Sequence, residues 1–436
     1  MTSLRPLPAP WSDAYRDLVN RCPAGDATVS DAVALILDQV RSGGDLAIRT
    51  LTERFDGVRV GTSRVLPAEW QVALDSLAKP VRAAMEEAAR RIEMVHRAQA
   101  FREAPVTVVP GVRVWREWRP FRRVGIYAPG GRSVYPSSVL MMAVPARLAG
   151  CAEIVLCSPP QRDGRIAPAM LAAAAIAGVT EVHAVGGAQA IAGLAYGTET
   201  IARVDKIFGP GNAFVTEAKR QVFGEVGIDM PAGPSEVVVI SDGSADPQWL
   251  AADLRAQAEH SPDALAVLLT TSDGDAAALE SMPEEQVRAF RCASIEEALA
   301  FSNDFAPEHL SLACREPEGW LSQVTSAGSV FLGPYAPAAA GDYATGANHV
   351  LPTGGAARAF GALGLGAFGR PIQVQAIEQI GIAAVASVVD PLAAVEELPW
   401  HAASVRARLD RGGNRETRDN SQQKGMGGDL NGDQAE

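Results

Sequence analysis

Apolar positions recur every three or four residues through the first stretch of the chain and then change rhythm. One helix is predicted around Trp11 to Cys22, and VSDAVALILDQVRSGGDLAIRTLTERFDG reads as two amphipathic helices broken at Gly43–Gly44. From Arg123 the apolar residues gather into short runs that contain or end in Gly or Pro: VGIYAPGG, EIVLCSPP, EVHAVGGAQA and KIFGPGNAF. Helical segments such as SSVLMMAVPARLAG and PAMLAAAAIAG separate them. Short apolar runs alternating with helices predict a parallel sheet wrapped on both faces. A second series follows: SEVVVIS, the helix of WLAADLRAQAEH, ALAVLLTT, a further helix, then SLAC and SVFLG. The expected fold class is therefore α/β, with two successive sheet-forming units. Beyond Arg370 the segment from about Asp390 to Leu409 is predicted helical, part of a small terminal domain. Residues Arg411 to Glu436 carry almost nothing apolar and read as a disordered tail.

Bulk properties narrow the partners. The chain has 436 residues, 47% of them apolar, and a formal net charge of −12. That is enough chain for more than one large core, and the acidic balance argues against nucleic acid or an anionic membrane as main partner. The longest apolar stretches, such as AMLAAAAIAGV, fall short of the roughly 18 to 20 residues that span a bilayer. Five cysteines without a C-x-x-C pair suit reduced thiols, hence an expected cytoplasmic location. A small molecule is the expected ligand.

Several constellations could carry chemistry on it. NDFAPEHL sets Glu308 beside His309 just after Pro307. Adjacent side chains point apart on regular backbone, so an acid and a base placed there share a cavity only if the chain is irregular, and Pro307 supplies that irregularity. In RAQAEHSPD, Gln257 and His260 are three apart and share a helical face. GDYATGANHVLPT places Asp342 and His349 in one Gly-interrupted loop, and ELPWHAASVRAR places His401 near Glu396. Imidazole nitrogen with carboxylate oxygen, and less usually an amide oxygen, is a donor set that zinc accepts. Three Gly-rich turns, YAPGG at 127–131, VGGAQA at 185–190 and GPGN at 209–212, stand at the predicted carboxyl ends of strands, where open α/β sheets bind nucleotides.

The stretches KIFGPGNAFVTEAKRQV, IDMPAGPSEVVVISD, QAEHSPDA, FAPEHL and GDYATGANHVLPT, in this order, resemble the histidinol dehydrogenase family, over about Ser42 to Arg408. The resemblance implies a zinc-dependent, NAD-linked homodimer that oxidises L-histidinol to L-histidine through an enzyme-held aldehyde. It implies zinc ligands Gln257, His260, Asp342 and His401, an acid/base pair Glu308 and His309, and NAD contacts Tyr127, Gln189 and Asn212. Substrate contacts follow at Ser235 and Glu396, with Gln257, His260, His309, Asp342 and His401 close enough to touch substrate as well. His309, with an ordinary imidazole pKa near 6.5, is the expected base for the alcohol step, and Glu308 the expected activator of water for the aldehyde step. The implied architecture is two Rossmann-like, aldehyde-dehydrogenase-like α/β domains: residues 31–127 with 236–363 carrying the zinc and acid/base residues, and 128–235 binding NAD. An amino-terminal arm (1–30) and a small helical carboxyl-terminal domain (364–410) complete it. That last segment is too short to hold a core of its own, so its apolar residues are expected to be buried against something else, and the resemblance implies that this is a second subunit whose site the segment completes. Gly369 and Pro371 replace a more basic run of the family, and Pro399–Trp400 precede His401. A related enzyme acting on another alcohol, such as a sulfonated diol, is the alternative expectation. A silent binding protein is not expected, because every ligand type is present, and a zinc hydrolase would have no use for the Gly-rich turns.

Overall fold

The computed structural model describes residues 3–21, 27–130, 134–230, 233–283 and 285–409. The expected tail lies outside them. The chain forms two units, Met1–Ala100 with Pro120–Gly369, and Phe101–Arg119 with Arg370–Glu436.

The first unit contains two six-stranded sheets. In one, the strand order is Arg5–Pro6, Val287–Arg291, Leu265–Thr270, Glu236–Ser241, His309–Ala313 and Ser329–Leu332, all parallel. Successive residues of a strand face opposite sides, and here both sides are apolar. Val238, Ile240, Leu310 and Leu312 pack toward the helices Asp13–Val19 and Ile295–Phe305, while Val237, Val239, Ala266 and Leu268 pack toward the helix Pro247–Ala258. In the other sheet the order is Arg64–Val65, Glu181–Ala184, Glu153–Ser158, Arg123–Tyr127, Lys206–Phe208 and Gly227–Ile228. Only Arg64–Val65 runs antiparallel to its neighbour. The chain moves outward from Arg123–Tyr127 to Glu153–Ser158 and Glu181–Ala184, then returns to the opposite side with Lys206–Phe208. That reversal is the switch point at which such sheets bind ligands.

The long helix Ala27–Asp56 shows why Gly43–Gly44 reads as a break. Gly44 has φ 51°, a Cβ there would collide with the Glu199 carboxylate, and the next N–H, from Asp45, donates to that carboxylate at 2.7 Å. Two helical halves therefore meet at a kink.

In the second unit Val106–Val109 and Val112–Pro120 form an antiparallel hairpin turned at Gly111 (φ 80°), and Gly369–Ile377 lies beside it in a three-stranded sheet. The carboxyl-terminal portion is thus not purely helical, as expected, but mixed. Residues 370–377 alternate in the strand period, a pattern hidden by Pro371 and by the distance to the hairpin they pair with. The helices Ile382–Val395 and Pro399–Leu409 pack on each other and are joined by an Arg406 Nε–Asp390 ion pair at 3.0 Å. Ile380, Val395 and Trp400 are 73%, 82% and 83% exposed.

Candidate active site

The helix Ile295–Phe305 ends at Ala306, a non-glycine residue in the left-handed region (φ 51°) whose N–H donates to Ser302 O at 2.8 Å. Pro307 and a bend at Glu308 follow before the strand begins at His309. The irregular backbone expected from Pro307 is therefore present, and two further hydrogen bonds fix it: Gly328 N–H to Pro307 O and Ser329 N–H to Glu308 O, both 2.9 Å. Glu308 turns back over the start of the neighbouring strand. Its Oε2 accepts from Ser235 Oγ at 2.6 Å and from Glu236 N–H at 2.8 Å, and Gln257 Nε2 donates to Ser235 Oγ at 3.0 Å. His309 Nδ1 lies 3.1 Å from Glu236 O and 3.4 Å from Glu308 Oε2. A carbonyl only accepts, so Nδ1 carries a proton in either charge state. Nε2 is then the atom that gains or loses one, and it faces Asp342 Oδ1 at 3.9 Å.

These contacts set the charges. Burial pushes the His309 ring down, but Glu308 by charge and hydrogen bond, then Asp342 and the Glu236 carbonyl, outweigh it and raise the ring to about 9. Burial pushes Glu308 up, but His309, Ser235 and the Glu236 N–H hold it below the ordinary carboxylate range. The expectation of an unperturbed imidazole is corrected accordingly: His309 and Glu308 form a buried ion pair that holds its proton tightly.

Of the remaining residues of interest, Gln257 is buried in the last turn of its helix, and His260 lies two residues past the helix end, its Nδ1 3.0 Å from Ala256 O. That contact fixes the tautomer and leaves Nε2 as a lone-pair donor, the arrangement of a metal-binding imidazole. Asp342 lies on the short helix Ala338–Tyr343 rather than in a loop, and that helix packs on Pro247–Ala258, the element carrying Gln257. His349 does lie in the loop that follows, its Nδ1 3.0 Å from Asp342 O. The donor set thus fits an N/O-preferring ion such as zinc, although no three His, Cys, Asp or Glu side chains among the described residues cluster tightly enough to hold one alone. His401 and Glu396 belong to the second unit, where both are exposed.

The three Gly-rich turns meet at the carboxyl ends of strands of the second sheet. Tyr127 is buried, its hydroxyl accepting from Gly187 N–H at 3.2 Å, and the side-chain amide of Gln189 folds back over Gly187. Gly209 (φ 123°) passes so close over the Tyr127 carbonyl that no Cβ could fit. Asn212 caps the helix Ala213–Val222, its Oδ1 accepting from Val215 N–H at 3.1 Å. Buried Lys219 holds this turn from beneath: it pairs with Asp229 and donates to Gly209 O at 2.9 Å, while Asp229 Oδ2 accepts from Gly209 N–H at 2.8 Å.

Sequence reasoning missed two supports. Glu236 is buried behind the acid/base pair, held by Arg21 through Nη2 at 2.9 Å and Nε at 3.0 Å, and Arg21 stacks 3.1 Å over the Phe305 ring. A charge opening the apolar strand EVVVIS was the available signal for Glu236, since a buried acid needs a partner. No pattern marks Arg21.

Asp253, one turn before Gln257, has no hydrogen-bond or ion-pair partner among the described residues, and burial raises its carboxyl to about 6. Folding therefore favours the protonated form: the penalty is absent below about pH 4, grows with pH and is complete above about 6. Allowing for partial exposure, Asp253→Asn is expected to raise the melting temperature by about 1–3 °C at pH 7.5 and hardly at pH 4. Equal shifts at both pH values would refute the charge explanation.

Comparison with known proteins gives concordant matches. A family model described as histidinol dehydrogenase matches residues 20–409. A histidinol dehydrogenase of Xylella fastidiosa (strain Temecula1) is 48% identical over 397 residues, covering 87% of this chain and 92% of the relative. One of Methanothermobacter thermautotrophicus is 46% identical over 410 residues, covering 90% and 96%. The crystal structure of histidinol dehydrogenase from Elizabethkingia anophelis superimposes with a TM-score of 0.89 at 38% identity, covering 94% of this chain and 99% of that one.

Proposed function

The chain belongs to the histidinol dehydrogenase family, and from that premise we propose that it oxidises L-histidinol to L-histidine in two NAD-linked steps, the aldehyde staying on the enzyme between them. The observation that supports this reading is the series Gln257–Ser235–Glu308, joined by hydrogen bonds, with His309 3.4 Å from Glu308 and 3.9 Å from Asp342, so that an acid and a base stand side by side as a two-step oxidation of one carbon requires. In the first step neutral His309 takes the hydroxyl proton at Nε2 while the carbinol carbon gives its hydride to NAD. In the second, water adds to the aldehyde carbon. Glu308 Oε1, the oxygen not already engaged by Ser235 and Glu236, receives the proton from that water, and the hydrated carbon gives a second hydride to a second NAD. The His309–Glu308 pair must release its proton for the first step, so its tight hold makes the two residues one coupled acid/base unit.

Zinc fits the donors Gln257, His260, Asp342 and His401; when bound it would supply the positive charge that orients the nitrogens of the substrate and offsets the pull of Asp342 on His309. Ser235 and Glu396 contact substrate in this reading, and Tyr127, Gln189 and Asn212 contact NAD. Burial of Cys151, Cys157, Cys292 and Cys314 as free thiols suits a cytoplasmic enzyme. Initial rates with NAD and L-histidinol, beside 2,3-dihydroxypropanesulfonate, test the substrate: turnover of histidinol alone is expected, and preference for the sulfonate would favour the related-enzyme alternative.

The same reading makes the protein a homodimer with shared sites. The exposed apolar residues Val395 and Trp400 adjoin Glu396 and His401 in the sequence, and Ile380 is exposed in the same unit, which has little core of its own. His401→Ala is expected to lose most of its zinc by elemental analysis and most of its turnover. Mixed after dissociation with His309→Asn, itself inactive, it should regain activity through one intact site per heterodimer. Full zinc in His401→Ala would remove it from the ligand set, and failure of the mixture to regain activity would place the site within one chain.

A further inference from the structure

One carboxylate at the nucleotide end has no role in the chemistry above. Asp56 closes the long helix Ala27–Asp56, and its Oδ2 is buried without a hydrogen-bond partner among the described residues. Buried polar atoms are nearly always satisfied, so an orphan acceptor at a cavity wall points to a donor that binds there. Asp56 lines a cleft of about 490 Å³ with Pro159, Pro160, Gln161, Arg162 and Asp163, within the usual range of small-molecule sites.

The cleft is built onto the Gly-rich turns. Gln161 Nε2 donates to Gly130 O at 2.6 Å. Pro159 packs so tightly on Gly186 that a Cβ there would stand 2.6 Å away. The charge of Asp56 reaches the Tyr127 hydroxyl, which burial and that charge push up to about 12 against the opposing Gly187 N–H. Burial likewise raises Asp56 above its ordinary range. The other acid of the cleft, Asp163, is already engaged by Arg165 N–H at 3.0 Å.

In doubly wound dinucleotide folds an acidic side chain follows the first Gly-rich turn by about 20 residues and takes the ribose hydroxyl. Here the strand after the first turn is Glu153–Ser158, paired directly with Arg123–Tyr127, and it runs out into Pro159–Pro160 with no acid at its end. We propose that Asp56, reaching in from the kinked helix, accepts the hydroxyls of the adenosine ribose and selects the dinucleotide with a free 2′-hydroxyl over its 2′-phosphorylated form. A carboxylate attracts two hydroxyls and repels a phosphate, and among the lining residues Arg162 alone could offset that repulsion. This assignment rests on the NAD-linked reading above.

The test compares wild type with Asp56→Asn and Asp56→Ser, each checked for a cooperative melting transition no lower than that of wild type. Asp56→Asn should raise the KM for NAD by about 10- to 100-fold, the range for losing a hydrogen bond to a charged group. It should change kcat at saturation far less, because the ribose is remote from the reacting carbon. Discrimination against NADP in kcat/KM should narrow by a similar factor, and Asp56→Ser should do the same should Asp56→Asn fail to fold. Calorimetry with ADP-ribose separates the two levels of inference. If wild type and variants bind ADP-ribose equally and KM and discrimination are unchanged, the role of Asp56 is wrong and the nucleotide reading stands. If wild type binds neither NAD nor ADP-ribose, the nucleotide reading falls and this assignment with it.

Discussion

Replacing His309 by asparagine is expected to lower turnover of L-histidinol by about 10²- to 10⁴-fold, the usual range for a general base, with a much smaller change in KM. Asparagine keeps an N–H that can donate to the Glu236 carbonyl, now 3.1 Å from His309 Nδ1, so the start of the strand stays tied. What it lacks is the atom at the Nε2 position, the one facing Asp342 at 3.9 Å and the only ring nitrogen free to take a proton. Steady-state rates with histidinol, together with zinc content as a control for site integrity, check this. A variant with full zinc and a kcat within about threefold of wild type would remove His309 from the proton transfer.

The companion replacement, Glu308→Gln, separates the two oxidations. Histidinaldehyde supplied with NAD should be oxidised about 10²-fold or more slowly by this variant, because only that step needs an activated water. The alcohol step should be less affected, although not untouched: the Glu308 charge is the largest influence raising His309, and its loss leaves the ring easier to deprotonate. The introduced glutamine can still accept from Ser235 and the Glu236 N–H through its amide oxygen, so misfolding is not the expected cause of the loss. Wild-type rates on the aldehyde would show that Glu308 only positions His309.

The sequence made the sheets legible because their strands are buried on both faces and so appear as unbroken apolar runs ended by Gly or Pro. Val237 to Ile240 and Ile154 to Cys157 are examples in which every residue is at most 1% exposed. The hairpin Val106–Val109 with Val112–Pro120 is not legible because its residues are mostly exposed or half-exposed, with charges at Arg113, Arg116, Glu117 and Arg119, and its partner strand Gly369–Ile377 lies about 250 positions away in the chain. The glycines on either side of Asp342 point to a loop, yet Ala338–Tyr343 completes a turn and a half of helix. The candidate site residues are legible as types and motifs, and the bend that Pro307 permits is present at Glu308. Their electrostatics were not: a pKa depends on which charges meet in space, and the meeting of Glu308, His309 and Asp342 spans three elements. Arg21 and Asp56 stayed hidden for the same reason, since each acts on a part of the chain more than 70 residues away.

The central claim is that one acid/base unit carries a single carbon through both oxidations. Its most direct test is the stoichiometry of a closed reaction: wild-type protein, excess NAD and a limiting, known amount of L-histidinol, with NADH read by absorbance and products by chromatography. The account predicts two NADH and one L-histidine per histidinol consumed, with no free aldehyde accumulating. One NADH per histidinol with aldehyde released, or no NADH at all, would contradict it.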